Sequence, residues 1–496
     1  MSEYVLGIDC GNTAVKAAIF DLKGQEIAVA SARVDTLFPQ AGYTESNLNV
    51  LWQSCSDVIR AALSKARLTG ADIKAIGTSG HGNGLYLLDR SNEPLKAIKS
   101  LDSRAEKLAN EIQDRNDYAN LREVNHQGAW PSQTATLLKW LKIVEPETYA
   151  EGATVLFCKD YLNFKLSGEL ATDFGDVSAS GLFDFQTHTV SEKLLQMFDI
   201  SEVADKMPTI YSSEEIVGQV IESTAVLTGL SVGTPVIAGM FDVVSSAIGT
   251  GVFEHAQASM IAGTWSINQV VSNHLPTSEL FMCCVFPGDR FLALENSATS
   301  ASNLEWFVSE FFQTEKQVAQ VLDKKVFEFC NDLVEQVELE ENLPLFHPYL
   351  YGSKDNAHTG ANFFGVSGWH NRAHLLYAVY EGIVFGHLEH VKKLARFDIG
   401  FDHVVLSGGG SRSKVWCQLF ADVLNIEVYV TPCEEAGARG VAIAAATAVG
   451  LFSSLESAVS AMRGDYHCFH PNKDKHELLT LRQKKYQKIS AFLNEW

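Results

Sequence analysis

Three glycine-rich turns and two aspartates are the residues of this sequence best suited to chemistry. The turns are Gly7-x-Asp9-x-Gly11-Asn12-Thr13, Gly263-Thr264-Trp265-Ser266 and Gly408-Gly409-Gly410-Ser411. Glycine lets backbone N–H groups come close to phosphate oxygens, and the Thr and Ser hydroxyls add donors. The third turn lies between a β-run and a helix, where a helix N-terminus can face an anion. Phosphoryl transfer needs such donors, a divalent cation and a base beside the accepting hydroxyl. Asp9, ending the first apolar run, is a candidate Mg²⁺ ligand, directly or through water. Lys16 is a candidate phosphate partner. Asp242 ends the run PVIAGMFD and suits two roles equally, proton acceptor or helix N-cap.

Residues so placed need strands that end at them. The opening YVLGIDCGNTAVKAAIFDLKG reads as two β-runs, Tyr4–Asp9 and Val15–Asp21, about a Gly11-Asn12 turn. A helix over Leu51–Ala66 and a strand over Ile73–Ser79 follow, then a second hairpin through Gly82-Asn83-Gly84 into LYLLD. ASMIAGTWSINQVVS repeats the design of the opening hairpin. Arg372–Arg396 carries apolar residues at helical spacing. The strand VVLSGGG, the helix SKVWCQLFADVL, the strand EVYV and a small-residue helix from Gly437 complete an α/β layering. The Ser/Ala/Gly stretch after Asp242 suggests a domain crossover near 246, giving domains 1–246 and 247–496.

Bulk properties agree with that division. A chain of 496 residues exceeds one core, since cores stop growing at roughly 250–300 residues. A formal charge of -21 argues against a protein that coats nucleic acid or an anionic membrane. The nine cysteines show no metal-ligand spacing and read as reduced thiols. The N-terminus lacks a basic leader, and the alanine-rich stretch Gly440–Gly450 is far short of the ~20 apolar residues that span a bilayer. A cytoplasmic enzyme is expected.

The ordered series GIDCGNTAVKAAIFD, IGTSGHGNGLYLLD, LDSRA, CKDYLNFKLSGELATDFGD, TPVIAGMFD, AGTWS, HPYLYG, RAHLLYAVYEGIVFGH, LSGGGSRSKVWCQLFADVLNIEV and EEAGARGVAIAA resembles, almost end to end, the carbohydrate kinases named for a Phe-Gly-Gly-Tyr signature. The resemblance implies two ribonuclease H-like domains around a central cleft, the α/β fold of the actin, hexokinase and Hsp70 ATPase superfamily. The N-terminal domain would hold sugar, Mg²⁺ and phosphate, and the C-terminal domain the nucleotide. It also implies an ATP-dependent phosphotransferase in which Asp9 organises Mg²⁺ and Asp242 is the catalytic base. Gly11, Asn12, Thr13, Gly263 and Thr264 would then cradle phosphate, with Gly408, Gly409, Gly410 and Ser411 against adenosine. Homodimers are common among such kinases.

Position within the resemblance makes His81, Asn83, Asp102, Arg104, Trp130 and Lys159 sugar-pocket candidates. Trp130 is suited to stack an apolar sugar face, and Asp102 and Arg104 are equally able to pair with each other. Asp160 and Asp173 are expected to brace loops. Similar xylulose kinases carry Gln-Met-His-Gly where this chain has His81-Gly82-Asn83-Gly84, and Asp-Asn where it has Asp242-Val243. A site built for one hydroxyl rejects its epimers strongly, so these changes imply a different sugar. The combination of FDVVS, SGHGNGLYLLD and TSASNLEWF looks closest to the branch acting on L-xylulose. D-xylulose, 3-keto-L-gulonate, ribulose or a polyol are the alternative substrates, and a catalytically silent binding relative the alternative class. Two loops depart from the family, at Ala301-Ser302-Asn303 and at Gly352-Ser353-Lys354.

Overall fold

The computed structural model describes residues 3–353 and 358–495, so Lys354 of the second departing loop lies outside the described residues. The elements that matter for the site are, in chain order, β1 (Tyr4–Cys10), β2 (Ala14–Asp21), β3 (Glu26–Arg33), α1 (Leu48–Ala66), β4 (Ile73–Gly80), α2 (Cys158–Ser167), β5 (Ile216–Gln219), β6 (Pro235–Ile237), β7 (Met240–Phe241) and α3 (Asp242–Gly249). Then come β8 (Ala258–Ala262), β9 (Ser266–Ser272), α4 (Ala301–Phe311), α5 (Arg372–Arg396), β10 (His403–Ser407), α6 (Lys414–Leu424), β11 (Glu427–Val430), α7 (Ala436–Ala448), β12 (His467–Phe469) and α8 (Lys473–Glu495). They form two compact units. The first takes the chain up to His255, Val271–Ala293 and Cys433–Gly464; the second takes Ala256–Val270, Leu294–Pro432 and the chain from Asp465 on.

In the first unit the strand order is β5-β6-β4-β1-β2-β3, with β7 also paired to β4. β1 and β2 form the expected hairpin, closed by the Gly11 N–H donating to the Ala14 carbonyl at 3.0 Å. β1 then pairs parallel with β4. Val5, Leu6 and Ile8 of β1 are fully buried, each worth roughly 1.5–3 kcal/mol relative to exposure. α1 starts where the Asn47 side chain accepts from the N–H groups of Asn49 and Val50. Its buried residues Leu51, Cys55, Val58, Ile59 and Ala62 recur at helical spacing and pack on β2 and β3. α7 belongs to this unit although it lies late in the chain. It presses onto β1 and β4 so closely that a Cβ on Gly7 would sit 1.9 Å from the Ala438 carbonyl oxygen, and one on Gly77 2.3 Å from that of Val441.

The expected second hairpin does not form. Leu85–Leu88 pairs with Pro94–Ile98 and Thr154–Leu156 in a separate three-stranded sheet, because β1, β6 and β7 already occupy the edges of β4. The turn itself is real: Asn83 adopts φ 60°, and the Gly84 N–H donates to the Ser132 carbonyl.

The second unit repeats the scheme. β8 and β9 form a hairpin, β8 pairs parallel with β10, β10 parallel with β11, and β11 antiparallel with β12. α5 spans the expected residues and is capped by Asn371. The fully buried Arg482 of α8 clamps it, meeting both carboxylate oxygens of Glu381 at 2.6 Å.

Candidate active site

Asp9 and Asp242 come from strands that flank β4 on either side. Asp9 is opposite Ser79 in the β1–β4 pairing, and Met240 is opposite Ser79 in the β7–β4 pairing. The chain leaves β7 at Phe241, and Asp242 is the first residue of α3. The cap position is Phe241, which offers no side-chain cap, so Asp242 does not serve as the N-cap. Burial, reinforced by the negative charge of Asp9 and opposed by His81, pushes the Asp242 carboxyl up to about 7. Asp9 is raised too, by burial, against the lowering influence of Lys16 opposite it on β2.

The Asp9 surroundings fit a cation. Its Oδ1 is buried with no hydrogen-bond partner, an arrangement that leaves lone pairs for a metal or its water. α7 begins over this carboxylate: a Cβ on Gly437 would lie 2.9 Å from Asp9 Cγ and 3.0 Å from Oδ1. Only glycine leaves that space open. Ser245 of α3 donates its hydroxyl to the Gly437 carbonyl at 2.5 Å, tying the helix that carries Asp242 to the helix that covers Asp9.

The other predicted residues of this unit divide into those that converge on the pair and those committed elsewhere. His81 is buried, its backbone N–H donates to the Cys10 carbonyl at 3.0 Å, and its Nε2 lies 2.9 Å from the Tyr86 hydroxyl. Asn83 is buried and accepts from the Thr134 N–H at 3.3 Å. In the first turn, Asn12 donates to the Ser100 hydroxyl at 2.9 Å, and the Thr13 carbonyl accepts from the Val34 N–H. Lys16 pairs with Glu435 at 2.7 Å. Arg104 is closed around Asp102 at 2.9 Å and Glu45 at 2.8 Å, and lies 4.1 Å over the ring of Tyr43. Trp130 stacks on Phe281, centroids 5.1 Å apart. Lys159 is fully buried among Asp160, Asp173 and Asp176, which hold its ammonium well above its usual range although burial alone would lower it.

Sequence reading missed two residues here. Lys99, only 1% exposed, donates to the Asn12 carbonyl at 2.8 Å, the Asp35 carbonyl and the Thr36 hydroxyl, and so fixes the first turn from beneath. Cys158, at the start of α2, donates to the Cys10 carbonyl at 3.7 Å and lies close enough to Asp9, Asp242 and His81 to influence each. A lone lysine before SLD and a lone cysteine before KDYL carry no local signal of these contacts.

Within the second unit the other two turns converge. Gly408, at φ 83°, ends β10 where a Cβ would lie 2.9 Å from the Ala262 oxygen and 3.2 Å from the Gly263 nitrogen. Gly409 and Gly410 enter a short 3₁₀ turn, in which the Ser411 hydroxyl donates back to the Gly408 carbonyl. The departing loop Ala301-Ser302-Asn303 opens α4 and supports the Gly263–Ser266 turn. The Ala301 N–H donates to the Gly263 carbonyl at 2.8 Å, and the Ser302 hydroxyl to that of Thr264 at 3.0 Å. Thr264 and Trp265 stay exposed at the tip.

The first unit brings two acids to neighbouring strand ends, and the second, by itself, pairs two glycine turns; phosphoryl transfer to a hydroxyl uses groups of both kinds. The comparisons agree. Residues 4–249 match the N-terminal domain of the FGGY family of carbohydrate kinases, and residues 258–449 its C-terminal domain. The chain is 33% identical over 497 residues to the L-xylulose/3-keto-L-gulonate kinase of Escherichia coli (strain K12), covering 99% of this chain and 98% of that one. It is 32% identical over 494 residues to a probable L-xylulose kinase of Pasteurella multocida (strain Pm70), covering 99% of each. Its fold matches the xylulose kinase of Rhodospirillum rubrum, with TM-score 0.87 at 24% identity over 99% of each chain. It also matches the gluconate kinase of Lactobacillus acidophilus, with TM-score 0.89 at 20% identity over 100% of this chain and 99% of that one. The chain is a sugar kinase and belongs to the FGGY family of carbohydrate kinases.

Proposed function

We propose that this kinase transfers the γ-phosphate of ATP to a hydroxyl of an L-ketopentose such as L-xylulose, with Asp242 as general base. The observation that carries the reading is the Asp242 carboxyl, set at the start of α3 beside Asp9 and pushed up to about 7. That value lies near neutral pH, where a base is both ionised and able to hold a proton. Mg²⁺, held by Asp9 directly or through water, would supply charge neutralisation for the phosphates. In the first unit Gly11, Asn12 and Thr13, kept in shape by Lys99, offer donors to phosphate; in the second, Gly263 and Thr264 offer donors to phosphate and Gly408–Ser411 a surface for adenosine. His81 opposes the negative charge of Asp242, while Asn83 and Val243 shape the sugar pocket.

The choice of a neutral ketose over a sugar acid rests on charge. Lys16 is paired with Glu435, Lys99 with carbonyls, Lys159 with three aspartates, and Arg104 with Asp102 and Glu45. Each of these cations is already committed, and a substrate carboxylate buried without one is costly. The test is a coupled ADP assay over L-xylulose, D-xylulose, L-ribulose, 3-keto-L-gulonate, glycerol and gluconate. L-xylulose is expected to give a kcat/KM at least tenfold above 3-keto-L-gulonate. A preference for D-xylulose or glycerol overturns the assignment.

None of the nine cysteines is in a disulfide, which suits a reducing cytoplasm. No helix among the described residues is long and apolar enough to cross a membrane. Phe311, Val321 and Leu322 expose 55–85% of their area on the second unit, which favours a homodimer. Light scattering should give twice the chain mass, and a monomer at assay concentration rejects it.

A further inference from the structure

One face of the outer strands of the second unit gathers sulfur, nitrogen and oxygen donors that the kinase reaction does not use. In the β11–β12 pairing Tyr429 is opposite Cys468 and Val428 opposite Phe469. One step further along that register brings His470 opposite Glu427. Alternation along strands then puts Glu427, Tyr429, Cys468 and His470 on the same face. One ligand atom from each of Glu427, Cys468 and His470 lies within 4.8 Å of the other two. His470 Nδ1 is 2.9 Å from a Glu427 oxygen and 3.8 Å from Cys468 Sγ.

We infer that Glu427, Cys468 and His470 form a binding site for a borderline divalent cation of the zinc class, separate from the Mg²⁺ of phosphoryl transfer. Bonds of about 2.0–2.3 Å place tetrahedral ligand atoms roughly 3.3–3.6 Å apart; the 2.9 and 3.8 Å separations bracket that range, and the Glu427 and Cys468 atoms, within 4.8 Å, reach it by side-chain rotation. A thiolate with an imidazole and one carboxylate selects Zn²⁺ or Co²⁺ and disfavours Mg²⁺, which prefers oxygen alone. The surroundings already orient the ligands. The Tyr429 hydroxyl donates to Glu427 Oε2 at 2.6 Å and turns Oε1 toward His470. The Gln418 amide donates to the His470 carbonyl at 2.9 Å, fixing the backbone that presents the imidazole. Such outer hydrogen bonds tune metal affinity. Three protein ligands leave one position for water, and His470, 72% exposed, lets the ion exchange with solvent. Glu427 lies on a different strand from Cys468 and His470, out of reach of any contiguous motif.

The experiment titrates Co²⁺ into the tag-free, chelator-treated full chain and follows the thiolate-to-cobalt charge-transfer band, with Zn²⁺ competition for affinity. One equivalent should bind, and Cys468→Ser should lose the band while keeping turnover with Mg²⁺ and ATP. His470→Ala should bind at least tenfold more weakly, and Tyr429→Phe about tenfold more weakly through loss of the orienting bond. No charge-transfer band at saturation, or one that survives in Cys468→Ser, overturns the site.

Discussion

Asp242→Asn is expected to lower kcat by about 10³-fold or more while leaving ATP affinity within about twofold. General-base catalysis contributes typically 10²–10⁴-fold, and an amide of the same shape accepts no proton. The wild-type enzyme should also lose kcat/KM about tenfold per pH unit below about pH 7, because the base works only when ionised and its carboxyl is pushed up to about 7. Asp9 is the second cause of that rise, so neutralising Asp9 with Mg²⁺ should move the inflection to lower pH. Turnover that stays within tenfold of wild type in Asp242→Asn removes Asp242 from the role of base.

The same carboxyl makes a stability statement of the opposite sign. Its folded pKa exceeds the unfolded value of ~3.9, so between pH 4 and 7 the folded state holds more protons than the unfolded one, and stability falls as pH rises through that window. Above pH 7 the penalty of a buried charge is complete. Asp242→Asn should therefore melt at a higher temperature than wild type at pH 8, with the difference shrinking toward pH 4. A variant that is slow because it is misfolded would melt lower instead.

What the sequence made legible were features with local causes. Tight glycine turns and alternating apolar residues give the β1–β2 and β8–β9 hairpins, and helical spacing gives α1 and α5 almost to the residue. Long-range partners have no such signal. Lys16 reads as a phosphate partner, yet 419 residues later Glu435 takes its ammonium. α7, an ordinary small-residue helix by composition, returns to cover Asp9 in the first unit. That return explains why glycine stands at Gly7, Gly77 and Gly437. The Gly82–Gly84 turn was legible as a turn, but whether the following strand pairs backward depends on the free edges of β4, which are set by β6 and β7 some 150 residues away. Asp102 and Arg104, or Lys159 and its acids, look alike in sequence whether they reach for a ligand or for one another. Burial decides between the two, and burial is a property of the whole fold.

Lys159→Met is the substitution expected to cost the most stability, about 3–5 kcal/mol, the usual penalty for breaking a buried ion pair from one side. Its ammonium lies 2.9 Å from Asp173 and 3.2 Å from Asp176 and touches Asp160, with every one of these side chains at most 1% exposed. Methionine fills the space but strands the carboxylates in a low dielectric. Asp176→Asn should differ sharply, costing under about 1.5 kcal/mol. Burial, and then the neighbouring Asp173 and Asp160, hold the Asp176 carboxyl well above the usual range against the pull of Lys159. An amide keeps the shape of this acid and removes the charge that burial and the two neighbouring carboxylates disfavour. Denaturant unfolding of both variants checks the pair. Equal losses in the two variants would reject that difference. The backbone of Lys159 also sits 2.8 Å from where a Cβ on Gly80 would lie, at the end of the strand between Asp9 and Asp242. Loosening this cluster should therefore slow turnover as well, through displaced strand ends and without any contact to the sugar.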